Sequence, residues 1–178
     1  MINDCIAGKR SAQNAFYKMF ASKMYGVCLR YAKDATEAED VLQDGFIKVF
    51  QHMGSFKHEG SFEGWVRRIM VNTALERFRK KNPLITVSEI YPVAKNMKYD
   101  DIESQLTVSE LMQLVQKLPP GYRTVFNLYA IEGYSHQEIA DMLNISEGTS
   151  KSQLARARGV LQEEVLKLYN PIQKKIVS

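Results

Sequence analysis

Cysteine and histidine are scarce in this chain, and they are scattered. Cys5 and Cys28 share no short ligand spacing with each other or with His52, His58 or His136. A zinc site needs closer, repeated nitrogen and sulfur ligands, so no metal is expected and both thiols read as ordinary reduced cysteines. Cys28 falls on an apolar helical stripe and is expected in a core. No run approaches the roughly 20 apolar residues that cross a bilayer. The opening stretch, MINDCIAGKR, holds no apolar segment long enough for a signal peptide. A cytoplasmic protein without membrane insertion is the expectation. No internal repeat or low-complexity tract occurs, and no period-two alternation marks a strand. The three histidines lie in separate elements and the acids between 34 and 44 spread around their helix. Nothing therefore converges for metal-dependent or acid–base catalysis, and the chain reads as a non-enzyme with no cofactor.

What is present is helical periodicity and an uneven charge. The net charge is +4. Residues 1–81 carry 14 Lys/Arg against 9 Asp/Glu, whereas residues 82–117 carry 3 against 5. A local basic excess suggests a phosphate-backbone partner. Phe16, Phe20, Met24, Val27, Cys28 and Tyr31 recur at steps of three and four and predict one helix. A second is expected from a capping box at Thr36 and Glu39. It carries Leu42, Phe46, Val49, Phe50 and Met53, and Gly54 is its expected stop. A third runs from near Ser61 to about Lys80 with Phe62, Trp65, Val66, Ile69, Met70 and Phe78 on its apolar side. Trp65 is expected in the core. Residues 82–107, with Pro83, Pro92 and several acids, read as a linker able to dock in a groove.

Periodicity returns from Leu106 to Leu118, and Pro119-Pro120 breaks it. A helix from Tyr122 to Ile131 should end near Gly133. Ser135 and Glu138 form a second capping box for a short helix through Leu143. Asn144 suits a left-handed turn, and Ser146 caps a long final helix. Pro171 ends the pattern. The fold class is therefore all-α. Two small helical domains, 1–81 and 108–178, are joined by the linker, and the second carries a helix-turn-helix.

Two places concentrate binding chemistry. In the last helix, Leu154, Ala157, Leu161 and Val165 form a stripe that should pack on Ile139, Met142 and Leu143. The opposite face shows Ser152, Ala155 and Arg156, with Lys151 and Gln153 on its flanks. Small and basic residues there suit a helix entering a major groove. The second place is the end of the third helix, where Arg67, Arg68, Arg77, Arg79, Lys80 and Lys81 meet only Glu76. Arg68, Asn72 and Arg79 share one flank, suited to a single strand or a duplex edge. The alternative at each place is a solvated helix face. The acids Asp34, Glu37, Glu39, Asp40 and Asp44 mark a separate face, solvated or docked to a protein.

Three stretches resemble one family. Asp40 to Phe50 is similar to the core-polymerase-binding helix of bacterial sigma-70-type factors. Ser61 to Asn72 resembles the promoter-melting helix of their short extracytoplasmic-function group. Leu118-Pro119, Tyr134 to Ala140, Glu147 to Thr149 and Arg156 to Arg158 resemble that group's C-terminal domain. The resemblance implies a transcription initiation factor that binds RNA polymerase core and directs it to promoters. It implies that Asp40, Gln43, Asp44, Phe46 and Lys48 dock on the β′ clamp, with the β subunit a further contact. Ser55, Phe56, Lys57, Arg68, Asn72 and Arg79 would serve the −10 element, where a base is flipped out. Thr149, Lys151, Ser152, Gln153, Arg156 and Arg158 would read the −35 element. Promoter DNA and an anti-sigma factor are the other implied partners. Ser150 stands where an apolar residue is usual and should loosen packing slightly. Gln153 stands where Arg is usual, and Gln favours adenine over guanine. The alternative reading is a stand-alone helix-turn-helix activator or a response-regulator output domain. That would come with a receiver or sensor domain built on parallel strands, and no such pattern is visible.

Overall fold

The computed structural model describes residues 1–81 and 107–169. The expected linker falls outside the described residues except for Thr107, as do Pro83, Pro92 and Pro171. All regular structure among the described residues is helical, as the periodicity predicts. The chain divides into two compact units, Met1–Pro83 and Leu84–Ser178.

In the first unit, α1 (Ile2–Ile6), α2 (Arg10–Tyr31), α3 (Ala35–His52) and α4 (Phe62–Lys81) pack around one core. Phe16, Met24, Val41, Val49, Val66 and Met70 are each at most 2% exposed. A fully buried side chain of this size contributes about 1.5–3 kcal/mol, so these stripes alone decide how the helices rotate. Cys28 is in the core, and burial pushes its thiol up to about 12, which leaves it unreactive. α1, too short for periodicity to reveal, packs on α2 and on the 3₁₀ turn Met53–Ser55 that follows α3.

The start of α3 differs from expectation. Asp34, not Thr36, is its N-cap, and Asp34 Oδ1 accepts the Glu37 N–H at 2.8 Å. Glu37 reaches back to accept the Lys33 N–H at 2.7 Å. Asp and Thr both cap well, and the choice goes to the residue one turn before the buried Ala38. Gly54 does not stop α3 in a left-handed conformation; the helix ends at His52 and Gly54 lies inside the 3₁₀ turn. Trp65 is only half-buried. It stacks on Phe62 at 5.5 Å and meets Phe56 at 5.6 Å, at the rim of the unit rather than in its centre.

α3 and α4 cross at Gly45. It is buried, and a β-carbon there would collide with the Met70 Sδ, itself fully enclosed. Glycine here is a packing requirement, not a conformational one.

The second unit holds α5 (Val108–Lys117), α6 (Pro120–Phe126), α7 (His136–Leu143) and α8 (Glu147–Tyr169). Thr107 and Glu110 form a full capping box at the start of α5, so the helix begins at Val108 rather than at Leu106, where the periodicity starts. The helix expected from Tyr122 to Ile131 is α6 followed by a π-helical turn, Asn127–Ile131. Leu114, Val115, Leu118 and Tyr122 close over Ala157 and Leu161 of α8.

Gly45→Val should destabilise the first unit by about 2 kcal/mol. Overpacking costs roughly 1–3 kcal/mol, against a gain in helix propensity of only a few tenths. Urea unfolding followed by the fluorescence of Trp65, the chain's single tryptophan, measures it.

Candidate nucleic-acid interface

The helical hairpin in the second unit is fixed at each joint by a different device. Ser135 caps α7, with its Oγ accepting the Glu138 N–H at 3.2 Å and the Glu138 carboxylate accepting the Ser135 N–H at 2.8 Å. Asn144 closes α7 in the left-handed conformation, φ 55°, and the Ile145 N–H then reaches the Ala140 carbonyl at 3.1 Å. Ser146 accepts the Thr149 N–H at 3.0 Å to start α8. Ile139, Ala140 and Leu143 are buried, as are Leu154, Ala157 and Leu161. Met142 and Val165, expected in the same stripe, are half-buried.

This packing leaves Lys151, Ser152, Ala155 and Arg158 exposed along α8. Gly148 is also exposed, so the N-terminal half of that face is small and lets the helix axis approach another surface. Lys151 pairs with Glu147 one turn earlier at 2.6 Å. Ser152 donates to the Thr149 carbonyl at 2.9 Å, and Thr149 is half-buried. Arg158 holds its guanidinium 5.8 Å from the centre of the Tyr129 ring, which stacks on His136 at 4.6 Å.

Three expectations about α8 need correction. Gln153 is not on the exposed flank: it is 8% exposed and lies against Gly121 of α6, whose missing side chain leaves it room. α8 is gripped by α6 as well as α7, so its buried arc is wider than a one-partner stripe. Arg156 is half-buried and leans toward the Tyr122 hydroxyl, 3.5 Å away. Ser150 does not merely loosen packing. It is fully buried, and its Oγ lies 2.9 Å from His136 Nδ1, a polar tie between α7 and α8 in place of an apolar contact.

In the first unit, Arg68, Asn72 and Arg79 are all exposed on α4. Ahead of them the loop 56–61 folds over the first turn of the helix. Ser61 Oγ accepts the Gly64 N–H at 3.0 Å, Phe56 meets Phe62 edge-on at 4.9 Å, and His58 and Gly60 take positive φ. Ser55 and Lys57 are exposed beside the half-buried Phe56.

Three of the acids on α3 are tied to α4 rather than left free. Arg77 donates from Nε and a terminal nitrogen to Asp44 Oδ2, at 2.9 and 2.6 Å, and from its other terminal nitrogen to Asp40 Oδ2 at 3.1 Å. Lys48 pairs with Glu76 at 2.6 Å, and Lys81 pairs with Glu37. Part of the basic end of α4 is thus committed to α3. Sequence spacing could not reveal this, because it depends on how two helices are rotated against each other. Gln43 remains exposed. Phe46 is 3% exposed and packs on Tyr17 at 4.7 Å, so it is mainly a core residue, with its ring edge on the groove between α2 and α3. Beside Gln43 runs a groove of about 750 Å³ between α2 and α3, lined by Tyr17, Tyr25, Leu42, Ile47 and Phe50 among others.

Two family models match the chain, "Sigma-70 region 2" over residues 16–83 and "Sigma-70, region 4" over residues 108–161. Together they take in most of its length. The chain belongs to the sigma-70 family. Within it, this sigma factor is 33% identical over 174 residues to the ECF RNA polymerase sigma factor SigW of Bacillus subtilis, covering 88% of this chain and 92% of that one. It is 30% identical over 158 residues to the ECF RNA polymerase sigma factor SigM of Mycobacterium tuberculosis, with 88% and 78% covered. In fold it is similar to the sigma factor RpoE of Bartonella quintana, solved with the anti-sigma factor NepR. The TM-score is 0.52 at 21% identity, over 87% of this chain and 96% of that one. Among the described residues, no helix of this sigma factor is long and apolar enough to cross a membrane.

The capping carboxylates give the second unit an acid dependence. The Ser135 backbone N–H and then its hydroxyl hold Glu138 below its ordinary value of 4.5, and Thr107 does the same for Glu110. A carboxylate with a lowered folded pKa adds stability above the ordinary value and loses it as pH falls through the folded one. Helicity followed during thermal unfolding should therefore weaken from about pH 4.5 downward. Glu138→Gln, which keeps a capping side chain but cannot titrate, should flatten that slope.

Proposed function

We propose that this sigma factor directs RNA polymerase core to promoters through three surfaces on two units. α3 docks on the core enzyme, the exposed flank of α4 engages the −10 element, and the exposed face of α8 engages the −35 element. What carries the reading is the pairing of two family matches, in order on one chain, with two exposed faces of the chemistry DNA requires. A stand-alone activator would use the α8 face alone and leave the match over residues 16–83 without a purpose.

On α8, Lys151 and Arg158 meet phosphates, Ser152 and Thr149 approach base edges, and Arg156 is the side chain long enough to reach guanine from its half-buried root. Gln153 supports this face by packing on α6. On α4, Asn72 reads an extruded base while Arg68 and Arg79 neutralise the strand's phosphates. Phe56, Ser55 and Lys57 border the pocket that receives the base. Flipping costs a few kcal/mol, which these contacts offset. On α3, Gln43, Asp40, Asp44 and Lys48 face the β′ clamp, and Phe46 shapes the helix from inside. Residues 82–107 link the two units. An anti-sigma factor is the regulatory partner, the kind of protein with which the Bartonella relative was solved. The chain acts without a cofactor and catalyses no reaction itself.

Run-off transcription with purified core polymerase on a random-promoter library is the test. Transcripts that share two spaced elements would establish this reading, whereas DNA binding without core binding would overturn it. Arg156→Ala should weaken −35 binding by roughly 1–3 kcal/mol and relax preference at one position; equal loss on every sequence would make it a phosphate contact. Asn72→Ala should slow strand opening, measured by permanganate reactivity of unpaired thymines, more than it weakens closed-complex formation. Equal loss of both steps would reduce Asn72 to a structural role.

A further inference from the structure

The Arg77 guanidinium makes three hydrogen bonds, and all three end on the Oδ2 atoms of Asp40 and Asp44. These two acids lie one turn apart on α3 and are half exposed, with side-chain exposures of 56% and 45%, against 28% for Arg77. Among the described residues, neither Oδ1 has a partner. Like charges four residues apart disfavour a helix and push the two side chains apart. A planar cation inserted from a neighbouring helix reverses that. It gathers both carboxylates on one edge and leaves the other edge unengaged.

We propose that Arg77 is a positioning residue for polymerase docking: from α4 it presets Asp40 and Asp44 as a two-carboxylate acceptor for one cationic side chain of the core enzyme. The proposal rests on the reading of α3 as the core-docking helix. The chemistry asked of the partner is a single lysine or arginine that reaches both free oxygens. Acids fixed before the encounter lose less rotamer freedom on binding than acids that must be gathered at that moment. Two neighbouring cross-helix pairs, Lys48 with Glu76 and Lys81 with Glu37, flank the clamp and hold the two helices in the same register. Arg77 therefore acts from a helix that itself faces DNA, and it touches polymerase only through the acids.

The test measures affinity of the full chain for purified core polymerase by fluorescence anisotropy. Variants are Arg77→Gln, Arg77→Lys, Asp44→Asn and the double Asp44→Asn/Arg77→Gln, with folding checked by Trp65 fluorescence at the assay temperature. Arg77→Gln should weaken binding about 10-fold, and Arg77→Lys about 3-fold, because an ammonium supplies charge without the planar fork. In the Asp44→Asn background, Arg77→Gln should cost less than about 2-fold more, since positioning requires something to position. A purely structural arginine would give the same loss in both backgrounds, and that result overturns the proposal. So does tight binding by Arg77→Gln while Asp44→Asn binds weakly. If Asp44→Asn binds like wild type, the core-docking reading of these acids fails and the proposal falls with it, a distinguishable outcome. Should Arg77→Gln fail to fold, Arg77→Lys decides alone: wild-type affinity from a folded lysine variant overturns the proposal.

Discussion

Where α3 and α4 cross, one helix gives up its side chain so that the other can seat a methionine. That exchange at Gly45 and Met70 brings the helices close enough for short ion pairs to bridge them on the outer side of the crossing. The four cross-helix ion pairs, Arg77 with Asp40 and with Asp44, Lys48 with Glu76 and Lys81 with Glu37, bridge the two helices beside it. The surface assigned to polymerase and the surface assigned to DNA are consequently two sides of one rigid joint. The buried contacts set the spacing and the rotation, and the charged contacts then bridge the two helices.

The second unit positions its working face differently. Its working face is prepared by what is packed behind it. Gln153 fills the space left by Gly121, Ser150 bonds to His136, and the apolar stripe centred on Leu154 and Ala157 fixes the rotation of α8. Polar groups inside a small core are tolerated only when each finds a partner. Ser150 does so by reaching His136 on a neighbouring helix, which makes the hairpin specific in its geometry as well as stable.

These arrangements differ in how far the residue order reveals them. Periodic stripes were legible, because a side chain's burial in a helix follows from its angle alone: Phe16 to Tyr31 and Leu154 to Leu161 are examples. The Ser135 box and the left-handed Asn144 were also legible, since each is a local rule about a few residues. The N-cap of α3 was harder, because Asp34 and Thr36 both satisfy the local rule and the buried Ala38 arbitrates. The path of Gln153 was not legible. It depends on a glycine more than 30 positions earlier in the chain and on a second helix that widens the buried arc. The clamp on Asp40 and Asp44 was hidden for the same reason. Charges 33 and 37 positions apart meet only after two helices have been rotated by their cores. Of the candidate site, the positions on single helix faces could be read in advance, and the relations between helices could not.

The π-helical turn between α6 and α7 has a geometric consequence. An α-helix advances about 100° per residue, so one residue more per turn changes the phase of everything after it. Before the turn, Tyr122 and Val125 point into the core; within it, Tyr129 and Ile131 are exposed. The extra residue acts as a phase shifter that delivers the Tyr129 ring to His136 and, beyond it, to Arg158 of α8. A chain with one residue fewer here would keep the same composition of faces but turn the tyrosine away by about a quarter of a revolution. Together with the tyrosine itself, length at this one position decides whether the second unit has an aromatic shelf beside α8.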